Sequence, residues 1–176
     1  KDNYVTVLIM ENKTVTKKVL AKEGIKVPVG EEFDSLAEAK ICINNYIGKP
    51  IVIKPKSTNF GTGINIFPEG ANAEDIERAF EIAFKFDKTV LIEEFIKGKE
   101  YRFLVIDDQV VGILHRVPAN VLGDGVKNIR ELVELKNQNP LRGKGYVTPL
   151  EKINLGENEA IFLKQQNKNF DYVPFA

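Results

Sequence analysis

A lysine followed closely by a small, glycine-bearing loop is the feature of this sequence best suited to chemistry. The β-branched run at 51–53 predicts a strand that carries Lys54 at its end, and the loop Ser57–Gly63 follows. Because the loop side chains are small, several backbone N–H groups could face one ligand, and such a concavity beside a fixed ammonium suits phosphate oxygens. The candidate phosphate-binding residues are Lys54, Ser57, Gly61 and Gly63. The lysine precedes the glycines, which excludes a P-loop, and an ordinary hairpin with a glycine loop is the alternative interpretation.

A second unit of similar design lies about thirty residues downstream. The apolar run Val90–Ile92 predicts a buried strand, and after it come two carboxylates, two apolar residues and a Lys-Gly turn. An extended chain can offer its backbone N–H and C=O groups to the edge of a purine. A carboxylate beyond the turn, here Glu100, can accept hydrogen bonds from both hydroxyls of a ribose. A second hairpin with solvated glutamates would give the same pattern.

Taken together, the two units resemble the ATP-grasp family, in which two strand pairs close on one nucleotide. The upstream helix resembles the one that carries the family's first ATP-binding lysine, here Lys13, and it ends in Gly24-Ile25-Lys26-Val27-Pro28. Within the family, the chain is similar to cyanophycin synthetases and to the ligase half of bifunctional glutamate–cysteine ligase/glutathione synthetases. The segments that carry this similarity are 9–13, 54–61, 115–125 and 129–133.

The resemblance implies a set of ATP-binding residues. Two lysines bind ATP and the Ser57–Gly63 loop covers the phosphates, while the segment after the second strand faces the adenine, its last two residues mainly through backbone groups. These residues are Lys13 and Lys54 for the phosphates, Glu93, Glu94, Phe95 and Ile96 for the adenine, and Glu100 for the ribose. The remaining helix lysines, Lys17, Lys18 and Lys22, are interpreted as solvated surface charges.

The candidate catalytic residue is Arg116, on a strand predicted to face the site. A guanidinium there could pair with a transferring phosphate or a substrate carboxylate. A structural salt bridge explains Arg116 equally well. His115, the only histidine, is interpreted as structural, because acyl-phosphate chemistry does not need a histidine base.

The resemblance also implies Mg²⁺, but the chain departs from the family at the metal site. ATP-grasp enzymes hold magnesium with an acidic residue on one late strand and a Glu-x-Asn pair on the next. Nothing after Ala160 supplies that pattern, and Asp171 stands alone. We therefore expect no metal ligand within these residues and no ligation by the chain alone. We further expect an excised piece of a longer protein that also contains a glutamate–cysteine ligase domain.

The composition limits which classes of binding partner are expected. The chain has 176 residues, 43% of them apolar, with 25 basic and 25 acidic side chains. Because the net charge is zero, nucleic-acid and anionic-membrane partners are not expected, and no apolar run approaches the ~18 residues of a membrane span. A single cysteine, Cys42, excludes an internal disulfide and favours a reducing, cytoplasmic setting; we place it in the core of a predicted helix.

The order of elements predicts an α+β fold, a partial ATP-grasp fold with antiparallel sheets covered by helices. We divide it into a nucleotide-binding region at 1–137 and a linker with the start of the remaining portion at 138–176. Helices are predicted from 11 or 12 to 24, from a Ser35-x-x-Glu38 capping box to about 46, from 72, at 129–136 and at 156–166. Strands are predicted at 27–29, from 51, at 90–96, at 100–106 and at 110–117, with a turn at 107–109.

The function that this resemblance implies is ATP-dependent ligation of a carboxylate to an amine through an acyl phosphate. The substrates that fit best are γ-glutamylcysteine and glycine, giving glutathione. Two alternatives lie in the same class, a cyanophycin synthetase-like enzyme and a D-alanine–D-alanine ligase-like enzyme. A third, from another class, is a nucleotide-binding module without catalysis.

Overall fold

The computed structural model describes residues 3–58, 61–145 and 147–175. The chain divides into two compact units, residues 1–114 and 115–176. In these described ranges, none of the helices has both the length and the apolar character needed to cross a membrane.

The first unit is built on a four-stranded antiparallel sheet. Its strands are β1 (Gly30–Phe33), β2 (Ile51–Pro55), β3 (Asn65–Phe67) and β4 (Val90–Glu94), in the spatial order β1-β4-β2-β3. In the register of the central pair, Val52 lies opposite Glu93 and Ile53 lies opposite Ile92. Since side chains alternate along a strand, Lys54 shares a sheet face with Val52 and Glu93.

The other face of this sheet carries the core. Helix α4 (Ala73–Phe84), which begins after the N-cap Asn72, packs on β2 and β4. The predicted inner face of this helix is confirmed at Ile76, Phe80 and Ala83, which have no exposed surface, while Phe84 is half-buried. Burying these side chains against the sheet supplies the main hydrophobic stabilisation of the unit.

Two helices precede the sheet, α1 (Tyr4–Glu11) and α2 (Lys13–Lys22). The predicted start of α2 is confirmed, because the Asn12 side chain accepts hydrogen bonds from the N–H groups of Thr14 and Val15, both at 3.1 Å. Its predicted end is confirmed by Gly24, whose φ of 74° takes the left-handed conformation that terminates helices. Helix α1 is not among the predicted elements.

Helix α3 (Leu36–Cys42) begins at the predicted N-cap, where the Ser35 hydroxyl accepts the Glu38 N–H at 3.2 Å. Beyond it the predicted helix continues only as a 3-10 turn, Ile43–Asn45. The prediction that Cys42 lies in the core is wrong, since the residue is half-buried with a free thiol. The buried stripe is formed by Ala39 and Ile43, four residues apart, and Cys42 lies at its margin.

Strands β5 (Glu100–Ile106) and β6 (Gln109–Arg116) form a separate two-stranded sheet. The turn between them is Asp107-Asp108, where Asp107 has a φ of 52°, and Gln109 already belongs to β6 instead of the turn. Apolar side chains of both strands remain exposed, among them Phe103 at 57% and Leu114 at 62%.

The second unit has a small core of its own. Helix α5 (Ile129–Asn137) starts at a capping box in which Asn128 and Glu131 bond each other's backbone N–H groups, and it buries Ile129, Leu132 and Val133. The remaining elements are the short parallel pair β7 (Arg142–Gly143) and β8 (Leu150–Glu151) and helix α6 (Glu157–Lys164). Helices with antiparallel sheets confirm the predicted α+β class.

Candidate functional site

The first residue of α2 lies against the loop that follows β2. The Lys13 ammonium donates to the carbonyl oxygens of Lys56 at 2.8 Å and of Thr58 at 2.7 Å. The pKa of Lys13 is lowered, first by partial burial and next by repulsion from the Lys54 ammonium. The two lysines that the sequence singles out, far apart along the chain, therefore lie within electrostatic range of each other.

Glu93 forms a buried ion-pair network with two lysines. One carboxylate oxygen, Oε1, contacts Lys17, and the other, Oε2, contacts Lys54. The glutamate is 2% exposed, whereas each lysine side chain is 21% exposed. Burial alone would raise the pKa of Glu93, but the hydrogen bonds from Lys17 and Lys54 outweigh it, so the pKa is lowered and the carboxylate stays ionised.

The prediction for Lys17 is wrong. We expected a solvated surface charge, yet its ammonium lies on Glu93 and also donates to the Pro28 carbonyl at 3.4 Å. A helical signal was available, because Lys17 follows Lys13 by one turn and residues four apart share a helix face. Lys18 and Lys22, by contrast, are exposed as expected.

The start of the loop is fixed by a carboxylate that the sequence analysis missed. The Ser57 N–H donates to Asp87 Oδ2 at 2.7 Å, and the Thr89 N–H donates to Asp87 Oδ1 at 3.2 Å. Burial opposes ionisation of Asp87, but these N–H groups hold its pKa below its usual value. The Ser57 amide is thus directed at Asp87 in this conformation. Asn59 and Phe60 of the loop lie outside the described residues.

The two loop glycines differ in their surroundings. Both have positive φ, 83° at Gly61 and 71° at Gly63. A Cβ added at Gly63 would lie 2.8 Å from carbons of Pro55 and of Phe86, whereas one added at Gly61 would meet open space. Gly63 therefore packs the returning chain closely against the end of β2.

A carboxylate on the sheet, Glu32, contacts both α2 and the chain that follows β2. Glu32 on β1 accepts a hydrogen bond from the Thr14 hydroxyl at 2.6 Å and pairs with the Lys56 ammonium at 3.1 Å. The Thr14 hydrogen bond is the largest cause of the lowered pKa of Glu32. This contact fixes the start of α2, and hence Lys13, relative to the sheet.

The predicted adenine-facing segment follows β4. The Glu94 carboxylate accepts the Val29 N–H at 2.9 Å, and the Phe95 N–H donates to the Pro50 carbonyl at 3.0 Å. Ile96 is 61% exposed and Glu100 is the exposed first residue of β5. The adenine and ribose roles of these residues remain predictions.

Arg116, the candidate catalytic residue, is the last residue of β6, and with His115 it belongs to the second unit. Its role in catalysis also remains a prediction.

The described part of the chain contains no group of three or more histidine, cysteine, aspartate or glutamate side chains placed to hold a metal ion. The carboxylates around the lysines already have partners, since Glu93 and Glu32 pair with lysines and Asp87 accepts backbone N–H groups. These residues do not fit a magnesium site.

Four lysines and three carboxylates lie together on this side of the first unit. We call the lysines, Lys13, Lys17, Lys54 and Lys56, the lysine cluster. The neighbouring carboxylates Glu32, Asp87 and Glu93 are ionised, so the four lysines and three carboxylates together carry one net positive charge. Ammonium groups fixed beside a glycine-bearing loop can bind the oxygens of a phosphorylated ligand through charge-assisted hydrogen bonds.

The family model described as the RimK-like ATP-grasp domain matches residues 10–130. Among curated proteins, the chain is 59% identical over 174 residues to the glutathione biosynthesis bifunctional protein GshAB of Clostridium perfringens. It is 53% identical over 176 residues to the protein of the same name from Listeria innocua. These alignments cover 99% and 100% of this chain, but only 22% and 23% of the two relatives.

Among solved structures, a bifunctional glutathione synthetase from Pasteurella multocida is 52% identical in sequence, with a TM-score of 0.44. That alignment covers 98% of this chain and 23% of the solved chain. The chain thus spans less than a quarter of the length of each of these relatives.

Proposed function

The chain belongs to the RimK-like ATP-grasp family, and on that premise we propose that it is the nucleotide-binding part of an ATP-dependent ligase that forms glutathione. The substrates are γ-glutamylcysteine, glycine and ATP. The high identity to proteins named for glutathione biosynthesis supports this choice within the family.

The observation that best supports the proposal is that the Lys13 and Lys54 ammonium groups lie near each other beside the loop after β2. The Lys13 ammonium donates to two loop carbonyls. Its pKa is lowered by burial and, next, by the charge of the nearby Lys54 ammonium. Two ammonium groups at one glycine-bearing loop favour a ligand with several phosphate oxygens over a neutral ligand.

The remaining predicted residues have proposed roles in nucleotide binding and in the transfer reaction. Residues 1–137 form the nucleotide-binding region, with the loop residues Ser57, Gly61 and Gly63 at the phosphates. The chain from Glu93 to Ile96 borders the adenine, Glu100 takes the ribose hydroxyls, and Arg116 faces the transferred phosphate or the substrate carboxylate.

In the reaction, a carboxylate oxygen of γ-glutamylcysteine attacks the γ-phosphorus of ATP and ADP leaves. The glycine amine then attacks the acyl carbon, phosphate leaves and the amine loses a proton. Catalysis of such a transfer depends on alignment and on neutralising phosphate charge. The lysine cluster supplies part of that neutralisation, and Mg²⁺, which the family uses in general, would supply the rest from ligands elsewhere in the protein.

The full-length protein is expected to contain a further enzymatic domain. The relatives are named as bifunctional and are more than four times as long as the aligned segment. We infer fusion to a glutamate–cysteine ligase domain, which would deliver γ-glutamylcysteine, and a reducing cytoplasmic location compatible with the free Cys42 thiol.

The test is a ligase assay on the full-length protein with ATP, magnesium, γ-glutamylcysteine and glycine. We expect glutathione and phosphate to appear in equal amounts, and neither to appear when glycine is omitted. A parallel reaction with D-alanine as the only amino acid should give no dipeptide. Formation of D-alanyl-D-alanine, or no ATP consumption with any acceptor, would overturn the proposed function.

A further inference from the structure

Glu93 is the most deeply buried charged side chain in the lysine cluster's surroundings. Its exposure is 2%, and each carboxylate oxygen is taken by a different ammonium group, Lys17 on one side and Lys54 on the other. This buried carboxylate therefore links the two lysines to each other.

Three elements of the first unit meet at this carboxylate. Glu93 stands in β4 opposite Val52, so it shares a sheet face with Lys54, two residues further along β2. Lys17 reaches the same carboxylate from α2, and its second contact, with the Pro28 carbonyl, limits where its ammonium can lie. The sheet fixes Glu93, and Glu93 in turn fixes both lysines.

We propose that Glu93 is a positioning residue that holds the Lys17 and Lys54 ammoniums side by side as a clamp for the phosphates of a nucleoside di- or triphosphate. The Glu93 carboxylate acts on the phosphates through these two lysines, in addition to the place beside the adenine proposed for the segment that Glu93 begins. Lys17 becomes an additional phosphate-binding residue. This inference rests on the proposed function, since it assigns roles within the same site.

The charges explain why a carboxylate is needed at this position. Two adjacent ammoniums repel each other, and without a shared counterion at least one would turn toward solvent. With Glu93 ionised, the three groups carry one net positive charge. An ammonium has three N–H donors, and Lys17 uses two of them, on Glu93 and on the Pro28 carbonyl, so one remains for a phosphate oxygen. A glutamine has no charge and only one acceptor oxygen, and its NH2 group is a donor that would face one of the two ammoniums unfavourably.

The experiment compares the affinities of ATP and adenosine by competition against a fluorescent ATP analogue in the full-length protein. Glu93→Gln should weaken ATP binding about tenfold or more, the loss expected for a charge-assisted contact. The selectivity of the loss is tested in Lys17→Met, because Glu93 itself has a proposed place beside the adenine. Lys17→Met should weaken ATP binding about tenfold and leave adenosine binding within about twofold, since adenosine has no phosphate for the clamp. The exposed Lys22→Met, on the same helix, should match the wild type for both ligands.

Other outcomes would decide against the clamp. Unchanged or tighter ATP binding in Glu93→Gln would overturn it. Equal losses for ATP and adenosine in Lys17→Met would also overturn it, because they indicate a general disturbance of the site. If Glu93→Gln does not fold, Lys17→Met carries the test, because it leaves the Glu93–Lys54 pair in place. A wild-type protein that binds no ATP would overturn the proposed function itself, a result separate from the variant comparisons.

Discussion

At the scale of single residues, the stability of this fold depends on keeping Glu93 ionised. Burial disfavours the charged carboxylate, and contacts with Lys17 and Lys54 reverse that preference, so its pKa in the folded protein lies below the usual 4.5. A carboxyl group whose pKa is depressed by folding stabilises the folded state above its unfolded pKa. That contribution is lost as the pH falls through the folded pKa.

Glu93→Gln should therefore lower the free energy of unfolding by about 2 kcal/mol near neutral pH, because it leaves two partly exposed lysines without their counterion. The difference from the wild type should narrow as the pH falls below the unfolded value of 4.5. Urea denaturation followed by circular dichroism at several pH values measures this difference. Glu69→Gln, at an exposed position, is the control, and a Glu93→Gln difference that does not change with pH would refute the assignment.

Sequence patterns identified part of this network but not its pairings. Lys54 was predictable because a charged residue inside an apolar strand, next to a glycine-bearing loop, is unusual. The partners of Glu93 were not predictable, because they depend on strand register and on how α2 lies over the sheet. Asp87 lies in the segment between α4 and β4, and only the folded chain shows that its carboxylate accepts the Ser57 N–H.

At the scale of elements, the strand–loop–strand unit β2–β3 depends on how tightly the loop returns. Gly63 needs both a positive φ of 71° and the space that a side chain would occupy, because Pro55 and Phe86 lie where a Cβ would be. Gly61 needs only the positive φ, since its added Cβ would meet nothing within 4 Å.

Gly61→Ala should accordingly destabilise the protein by about 1 kcal/mol, the cost of a left-handed conformation for an L-residue. Gly63→Ala should cost at least about twice as much, because Pro55 or Phe86 must also move. Thermal unfolding of the two variants under the same conditions measures the difference. Equal destabilisation, or a larger effect at Gly61, would show that the contacts of Gly63 do not limit the loop.

Element boundaries were predictable where short-range chemistry sets them. The N-caps Asn12, Ser35 and Asn72 and the terminating Gly24 all act within a few residues, and each is found at its expected place. Strand β1 begins at Gly30, just after the predicted stretch at 27–29, because pairing with β4 decides its position. An added Cβ at Gly30 would lie 2.0 Å from the Ile92 carbonyl oxygen, so that pairing requires a glycine there.

At the scale of the whole molecule, apolar burial is unevenly distributed. The central strands β2 and β4 carry fully or nearly fully buried residues such as Ile53 and Ile92, whereas the large apolar side chains of β5 and β6 are about half exposed or more. The α+β class followed from the order of elements, but this contrast did not, because the β5 and β6 sequences are as apolar as those of buried strands. The hydrophobic pattern of a strand indicates which of its side chains could be buried, but it does not indicate which other element covers them.

Hydrogen exchange of this 176-residue chain should follow the same contrast. Amides of β2 and β4, which pair with strands on both sides, should be the most protected. Amides of the two-stranded β5–β6 hairpin should exchange much faster, because a hairpin with little buried surface opens readily. Mass spectrometry of peptic fragments resolves these segments, and protection of the hairpin equal to that of β4 would be inconsistent with the exposure described.

The central claim is that the lysine cluster binds the phosphates of ATP, and calorimetric titration of ATP into the Lys54→Met variant tests it most directly. Lys22→Met, which removes an exposed lysine outside the cluster, is the matched control. The predicted result is an affinity about ten- to hundredfold lower for Lys54→Met and unchanged for Lys22→Met, since a charge-assisted hydrogen bond contributes roughly 1.5–3 kcal/mol. An ATP affinity of Lys54→Met equal to that of the wild type would contradict the account.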